Sequence, residues 1–374
     1  MRRLRRRKNP QKGFLPLCSL PDKSYALVSG VLDKTSYRHY TELASEEPLR
    51  HRIFDILKVV ISLGLIGLLL SQVNLNQVLT IIARANLGLL LLGLTLYVGA
   101  MAANGLKWYV LLRAQGIRLA LTDVLVYTFV GFFFNNLLPT SVGGDLARFA
   151  TLARDTDRRA ESALSVVMDR LVGLFTYITV AAVIGAVVVW GVGRPDLAHL
   201  VGIVVVLFGL VTVGLASLLS RRLRGLVERL FTLPGLSRLA LLYRRLSVTV
   251  QMYRDRPGVL LLAAGISFSG LVLTNVINLL VALALGIDLP LLYIFLFNPL
   301  VAFTPLIIPS LGGLGVTQGF FDIFYHRLGH LITADEAISI SLTFQAIVYL
   351  ASLPGGVLWW HGRAPAQERV ADLD

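Results

Sequence analysis

The apolar positions of this chain gather into runs at roughly 54–71, 87–112, 119–138, 161–192, 197–219, 258–285, 290–308 and 335–360. A helix needs about 20 predominantly apolar residues to cross a hydrocarbon layer about 30 Å thick. Most of these runs meet that requirement. Lysine and arginine cluster between or before them, in 1–12, 148–159 and 221–256. In lipid the backbone must satisfy its own hydrogen bonds, so uncharged runs of this length predict helices. The pattern therefore predicts an all-α integral membrane protein with cytoplasmic loops marked by positive charge.

A simple count of crossings fails at one place. If every run crossed once from a cytoplasmic N-terminus, 140–160 would lie outside, yet it carries Arg148, Arg154, Arg158 and Arg159. Short basic loops belong inside. The conflict disappears if 119–158 enters, turns at Leu138-Pro139-Thr140-Ser141-Val142-Gly143-Gly144, and returns to the same side. The same reasoning makes 290–330 a second hairpin, turning at Ile308-Pro309-Ser310-Leu311-Gly312-Gly313-Leu314-Gly315. Broken backbone at membrane depth is tolerated only against protein or a watery cavity, so two such hairpins imply a cavity. The expectation is six full transmembrane helices plus two re-entrant helical hairpins, with Pro139, Pro309, Gly313 and Gly315 as the structural turns.

The hairpins also resemble each other. A shift of 170 residues lays Gly116-Ile117-Arg118-Leu119 on Gly286-Ile287-Asp288-Leu289 and Leu137-Leu138-Pro139-Thr140 on Ile307-Ile308-Pro309-Ser310, without a gap. One hairpin would open inside and the other outside, which makes this an inverted-topology repeat. Such repeats place a transport site between broken helices near the midplane. The chain then divides into a basic cytoplasmic arm (1–52), a first membrane repeat (53–196), a second repeat (197–362) containing the basic loop 220–257, and a cytoplasmic tail (363–374).

Composition agrees with this picture and excludes others. Of 374 residues, 55% are hydrophobic and 15% charged, and mean hydropathy is +0.72, against about 25% charged in a soluble domain. The net charge of +13 sits in loops around spans rather than on one patch, so no nucleic acid is expected as a partner. One cysteine, Cys18, excludes an internal disulfide framework.

Candidate chemistry concentrates after the first turn. Gly143 and Gly144 permit close approach of backbone to a ligand, and a helix starting there would aim free N–H groups at an anion. Asp145 and Arg148 share a helix face at i, i+3. Asp169 and Arg170 lie inside an apolar run, where ionisable groups usually face a cavity or a partner. Asn135 and Asn136 precede the turn, placed to cap freed carbonyls or to touch a headgroup. Lys107-Trp108-Tyr109 reads as an interfacial anchor. Asp322, His326 and His330 have helical spacing, but Gly329 interrupts them and no fourth ligand is evident, so no metal or cofactor is expected.

These motifs in this order, Phe132-Phe133-Phe134-Asn135-Asn136-Leu137-Leu138-Pro139-Thr140-Ser141-Val142-Gly143-Gly144-Asp145-Leu146-Ala147-Arg148, then Asp169-Arg170, then Pro309-Ser310-Leu311-Gly312-Gly313-Leu314-Gly315, resemble the lysylphosphatidylglycerol synthase transmembrane (flippase-like) family. The resemblance covers about 50–360. It implies a bacterial inner-membrane protein, N- and C-termini cytoplasmic, that moves or binds a membrane phospholipid or other polar lipid. It also implies that Asp145, Arg170 and, by motif, Gln318 serve translocation, although the family usually has glutamate at the last position. The bifunctional members' aminoacyl-transferase domain has no counterpart here, so no enzymatic activity is expected. An integral-membrane enzyme or accessory acting on lipid-linked sugars is the alternative. A homo-oligomer is compatible with either.

Overall fold

The computed structural model describes residues 74–138, 143–156, 158–219, 256–308 and 310–361, with Tyr243, Ser247, Val250, Gln251, Tyr253 and Arg254 between them. The expected arm 1–52, the apolar run 54–71, the turn residues Pro139 and Pro309, most of the basic loop and the tail lie outside the described residues. Among those described, the regular structure is helical throughout. The α-helices are α1 (Leu75–Ala83), α2 (Leu87–Ala114), α3 (Leu121–Leu137), α4 (Gly143–Thr156), α5 (Arg159–Ala186), α6 (Ala198–Leu219), α7 (Pro257–Ala284), α8 (Leu291–Ile307), α9 (Val316–Phe321) and α10 (Ala334–Trp360).

Among the described residues, five segments are long and apolar enough to cross a membrane: Leu87–Ala114, Glu161–Gly191, Pro195–Leu218, Pro257–Ala284 and Ala334–Trp360. Their outward faces carry large exposed apolar side chains, including Leu87, Leu261, Ile203, Leu210 and Trp360. A soluble monomer rarely exposes so extensive an apolar surface. Helices α3 and α8 have 17 residues each, roughly 25 Å at 1.5 Å per residue, which falls short of the hydrocarbon thickness. Short π-helical turns at Val187–Gly191 and Asp322–Leu328 follow α5 and α9, a detail that hydropathy does not signal.

The 170-residue spacing recurs in the backbone. Helices α2 and α7 begin and end at residues related by that shift, as do α3 and α8. The Gly-Ile pairs explain the first of these boundaries. Gly116 (φ 77°) and Gly286 (φ 72°) adopt left-handed backbone. Ile117 N donates to Leu112 O at 3.1 Å, and Ile287 N to Ala282 O at 2.9 Å. This is the hydrogen-bond pattern by which a left-handed glycine ends a helix, completed by a buried apolar side chain after it. Ile117 and Ile287 are both buried.

Helices α2 and α7 pack closely on each other and run antiparallel: a Cβ on Gly93 would lie 3.6 Å from Ile277, and one on Gly99 3.8 Å from Leu273. Each is tied at its C-terminus by the residue preceding the other. Asn86 N donates to Ala284 O at 2.8 Å, and Arg256 Nη1 donates to Ala114 O at 2.6 Å. These two contacts are themselves related by the shift of 170. The two short helices pack across, α3 on α10 and α8 on α5. Glycines permit the closest crossings. A Cβ on Gly144 would overlap Gly131 O, and one on Gly355 would overlap Phe129 O.

Proline inside α8 is accommodated locally. Pro305 donates no hydrogen bond to Val301 O, and Thr304 Oγ1 donates to that carbonyl instead at 2.7 Å. The second turn meets the end of α3: a Cβ on Gly312 would lie 2.8 Å from Asn136 O, and Gln345 Nε2 donates to Gly312 O at 3.1 Å.

Candidate functional site

A cavity of about 880 Å³ opens between the helices, walled by residues of α2, α3, α4, α5, α7, α8, α9 and α10 and by Gly312 of the second turn. Among the described residues its charged lining consists of Lys107, Asp145, Arg148, Asp169 and Arg170. Three helices deliver them. Helix α4 starts at Gly143 and places Asp145 and Arg148 one turn apart on the same face. Helix α5 contributes Asp169 and Arg170, and α2 contributes Lys107.

The five groups alternate in sign. Lys107 Nζ lies 3.1 Å from Asp169 Oδ1, and Asp169 Oδ2 lies 3.1 Å from Arg148 Nη1. Arg148 Nη1 is 3.9 Å from Asp145 Oδ1, and Asp145 Oδ2 accepts from Arg170 Nε at 2.7 Å. Burial falls along the chain. The side chains of Lys107, Asp169 and Arg148 are at most 7% exposed, Asp145 is 13% exposed, and Arg170 is 48% exposed. Three cations and two anions leave one positive charge, and the most accessible cation is Arg170.

Arg148 is placed by packing as much as by charge. Its guanidinium carbon stands 4.1 Å over the ring centre of Trp108, an arrangement that favours a cation over an indole face. Its stem crosses α3 at Gly131, where a Cβ would come within 2.6 Å of Arg148 Cγ. Trp108 Nε1 in turn donates to Ser165 Oγ at 3.1 Å. Arg148 Nε and Nη2 have no hydrogen-bond partner among the described residues.

Several residues singled out from sequence meet here, and others do not. Asp145, Arg148, Asp169, Arg170, Gly144 and Asn136 line the cavity. Gly143 is buried but not among the lining residues. Gly144 has a firmer role than amide donor, because its missing side chain lets α4 close onto α3. Gln318 is not brought to the cavity wall. It is 2% exposed, and its Oε1 accepts from Gly315 N at 2.7 Å, capping the short α9. Gly313 (φ 84°) and Gly315 (φ 80°) take left-handed backbone at the second turn.

The reading of Lys107-Trp108-Tyr109 as an interfacial anchor is corrected. Lys107 and Trp108 are 5% and 0% exposed, and both serve the charged cluster. The signal available in the sequence was a lysine inside a long apolar run, which seeks a buried acid. Asp322 pairs with Arg327 Nε at 2.7 Å, and His326 Nδ1 lies 3.0 Å from Ile332 O. Among the described residues no group of three acids, histidines or cysteines could hold a metal ion.

The sequence comparisons can be set against this geometry. The family model of the lysylphosphatidylglycerol synthase transmembrane region matches residues 56–355. The chain belongs to that family. This transmembrane-region match takes in α3, α4, α8 and α9 and the five charged residues that line the cavity among those described. A UPF0104 membrane protein of Pyrococcus horikoshii is similar at 23% identity over 118 residues, covering 31% of this chain and 35% of that relative. The match therefore spans about a third of the relative's length. No solved structure matches the chain. Family membership and the long apolar helices together establish a multi-pass α-helical membrane protein.

Proposed function

We propose that this protein translocates a polar lipid, receiving a singly anionic phosphate headgroup at Arg170. The observation that carries the reading is the single excess positive charge of the cavity cluster, presented on its most exposed member. A phosphodiester in hydrocarbon is a costly anion, penalised by several kcal/mol. A planar guanidinium offsets that penalty through charge-assisted hydrogen bonds. Asp145 holds Arg170 when no lipid is bound, so the phosphate exchanges with a carboxylate instead of meeting a bare charge. Lys107, Asp169 and Arg148 form the buried base that keeps Asp145 and Arg170 in place.

The architecture that serves this reading has six full spans and two re-entrant hairpins, α3–α4 and α8–α9. The short lengths of α3 and α8 support it. So does the antiparallel pairing of α2 and α7, because an axis relating antiparallel spanning helices lies in the membrane plane. With N- and C-termini cytoplasmic, the basic segments 146–160 and 220–257 fall on the cytoplasmic side of the inner membrane. Both cavity carboxylates are committed to ion pairs, which favours transport over general-base chemistry on a lipid-linked sugar.

The test is headgroup exposure in proteoliposomes carrying a fluorescent phospholipid, read by a membrane-impermeant quencher. Arg170→Ala should fall to the protein-free rate while the protein still inserts. Arg170→Lys should retain part of the activity, because lysine keeps the charge but loses the planar fork. Undiminished transfer by Arg170→Ala would remove the proposal.

A further inference from the structure

A column of aromatic rings leads from the cavity to the loop between α5 and α6. Phe321 lines the cavity. Its ring stacks on Tyr325 with centres 4.2 Å apart, and Tyr325 meets Phe297 edge-on at 5.2 Å. Phe297 in turn lies 6.2 Å from Tyr293, and Phe324 stacks beside it at 5.7 Å. All five rings are buried, at most 8% exposed. They come from both arms of the second hairpin: Tyr293 and Phe297 from α8, the others from α9 and the π-helical turn Asp322–Leu328.

Arg194 closes the far end of the column. Left-handed backbone at Gly193 (φ 80°) turns the chain just before it. Its guanidinium carbon stands 5.7 Å from the ring centre of Tyr293, and Nη1 donates to Tyr293 Oη at 3.2 Å. Nη2 donates to Gly329 O at 3.0 Å. Tyr293 lies in the first turn of α8, and Gly329 directly follows the π-helical turn. One side chain therefore joins the two ends of the hairpin. Asp196 accepts from Nε at 3.0 Å and from Nη2 at 2.7 Å, which holds the guanidinium in that orientation.

The first hairpin is built differently at the same places. The positions of Tyr293, Phe297, Phe321, Phe324 and Tyr325 are held, 170 residues earlier, by Asp123, Tyr127, Thr151, Arg154 and Asp155. The register holds in space, because Tyr127 donates to Asp155 where Phe297 meets Tyr325. One mouth is made of groups that water solvates, and the other of rings that exclude it. Buried rings often serve packing alone. Packing does not call for a loop arginine bonded to both arms, nor for a column whose inner ring lines the cavity. A hydrophobic constriction of this kind blocks polar solutes by excluding water.

We propose that the ring column is the gate of the cavity on the side of the α5–α6 loop, and that Arg194 is its latch. With the orientation proposed above, this is the outer side, and the gate is closed. The transport reading supplies what passes: a headgroup that leaves Arg170 outward does so only after Arg194 lets one arm of the hairpin move. Rocking of one repeat against the other is how such folds alternate access, and Arg194 ties the α5–α6 loop to the second hairpin.

The test measures access to the cavity. In a Cys18→Ser background, Thr274→Cys places a thiol on the cavity wall. An impermeant methanethiosulfonate is applied to sealed vesicles on the face that labels Val192→Cys. Labelling of Thr274→Cys should be slow in the otherwise unchanged protein. Arg194→Ala should make it about tenfold faster, the shift in open population that follows from weakening closure by about 1.4 kcal/mol. Arg194→Lys should fall between, because an ammonium lacks the planar fork that reaches Tyr293 and Gly329 together. Tyr293→Phe keeps the ring and loses the acceptor, so it should also speed labelling, and it decides the matter if Arg194→Ala does not fold. Unchanged rates in these variants would overturn the latch, and fast labelling without them would overturn the gate. The orientation is read separately: if the face that labels Val192→Cys proves cytoplasmic, the orientation proposed above fails, while Thr274→Cys still decides the gate.

Discussion

Arg170 Nε donates to Asp145 Oδ2 across 2.7 Å, joining α5 to the first turn of α4 while leaving the arginine side chain 48% exposed. The two residues are 25 apart in sequence, and each sits where its neighbours allow no easy alternative. Asp145 also lies near Arg148, and Arg170 follows an aspartate already claimed by Lys107 and Arg148. The outermost pair of an alternating row is the one that a ligand can open without unmaking the rest.

Asp145→Asn therefore tests the exchange. Removing the carboxylate raises the positive excess by one and frees Arg170. Binding of an anionic phospholipid should tighten about tenfold, equivalent to 1.4 kcal/mol, while transfer slows because nothing competes the phosphate off. Native mass spectrometry and the proteoliposome assay read the two effects separately. Weaker binding would mean that Asp145 positions Arg170 instead of competing for it.

Asp169→Asn should be structural in effect. It strips the countercharge from buried Lys107 and Arg148, and breaking a buried pair from one side typically costs about 3–5 kcal/mol. Thermal unfolding in detergent should shift sharply down. Adding Lys107→Met should recover part of the loss, since it removes one of the stranded cations. A wild-type midpoint for Asp169→Asn would show that water reaches the cluster freely.

Gly144→Ala should separate α3 from α4, because its methyl group would collide with the Gly131 carbonyl, a backbone atom that cannot rotate away. Overpacking of this kind costs about 1–3 kcal/mol. Gly209→Ala is the control: nothing lies within 4 Å of a Cβ there, and alanine favours a helix over glycine by about 1 kcal/mol. The ranking of melting temperatures should be Gly209→Ala at or above wild type and Gly144→Ala below it.

Topology is open to cysteine labelling in a Cys18→Ser background. An impermeant maleimide applied outside spheroplasts should label Val192→Cys, at the end of the span Glu161–Gly191, and should leave Thr156→Cys and Pro365→Cys unlabelled. Labelling of Thr156→Cys would make α3 a full crossing and remove the first re-entrant hairpin.

Much of the frame was legible in the sequence. The apolar runs predict the ends of α2, α3, α7 and α8 to within two or three residues, because in lipid each backbone must close its own hydrogen bonds and hydropathy follows that requirement. The recurrent Gly-Ile pairs mark two helix ends because left-handed backbone is inexpensive only for glycine. Asp145 and Arg148 share a face by helical spacing alone, and Asp169-Arg170 stands out as charge inside an apolar run.

Which of these groups meet was decided only by tertiary structure. Helix α2 is apolar nearly all round, so its pattern names no inner face. Lys107 near its end reads as an interfacial residue until Asp169, 62 positions later, comes within 3.1 Å. Trp108 likewise becomes the platform for Arg148 only after α4 folds against α3 over Gly131 and Gly144. Gln318 follows a motif that suggested the cavity, but the α9 turn draws its side chain back to Gly315. Local backbone chemistry sets where helices begin and end, whereas a charge buried in a membrane is placed by whichever distant partner can neutralise it.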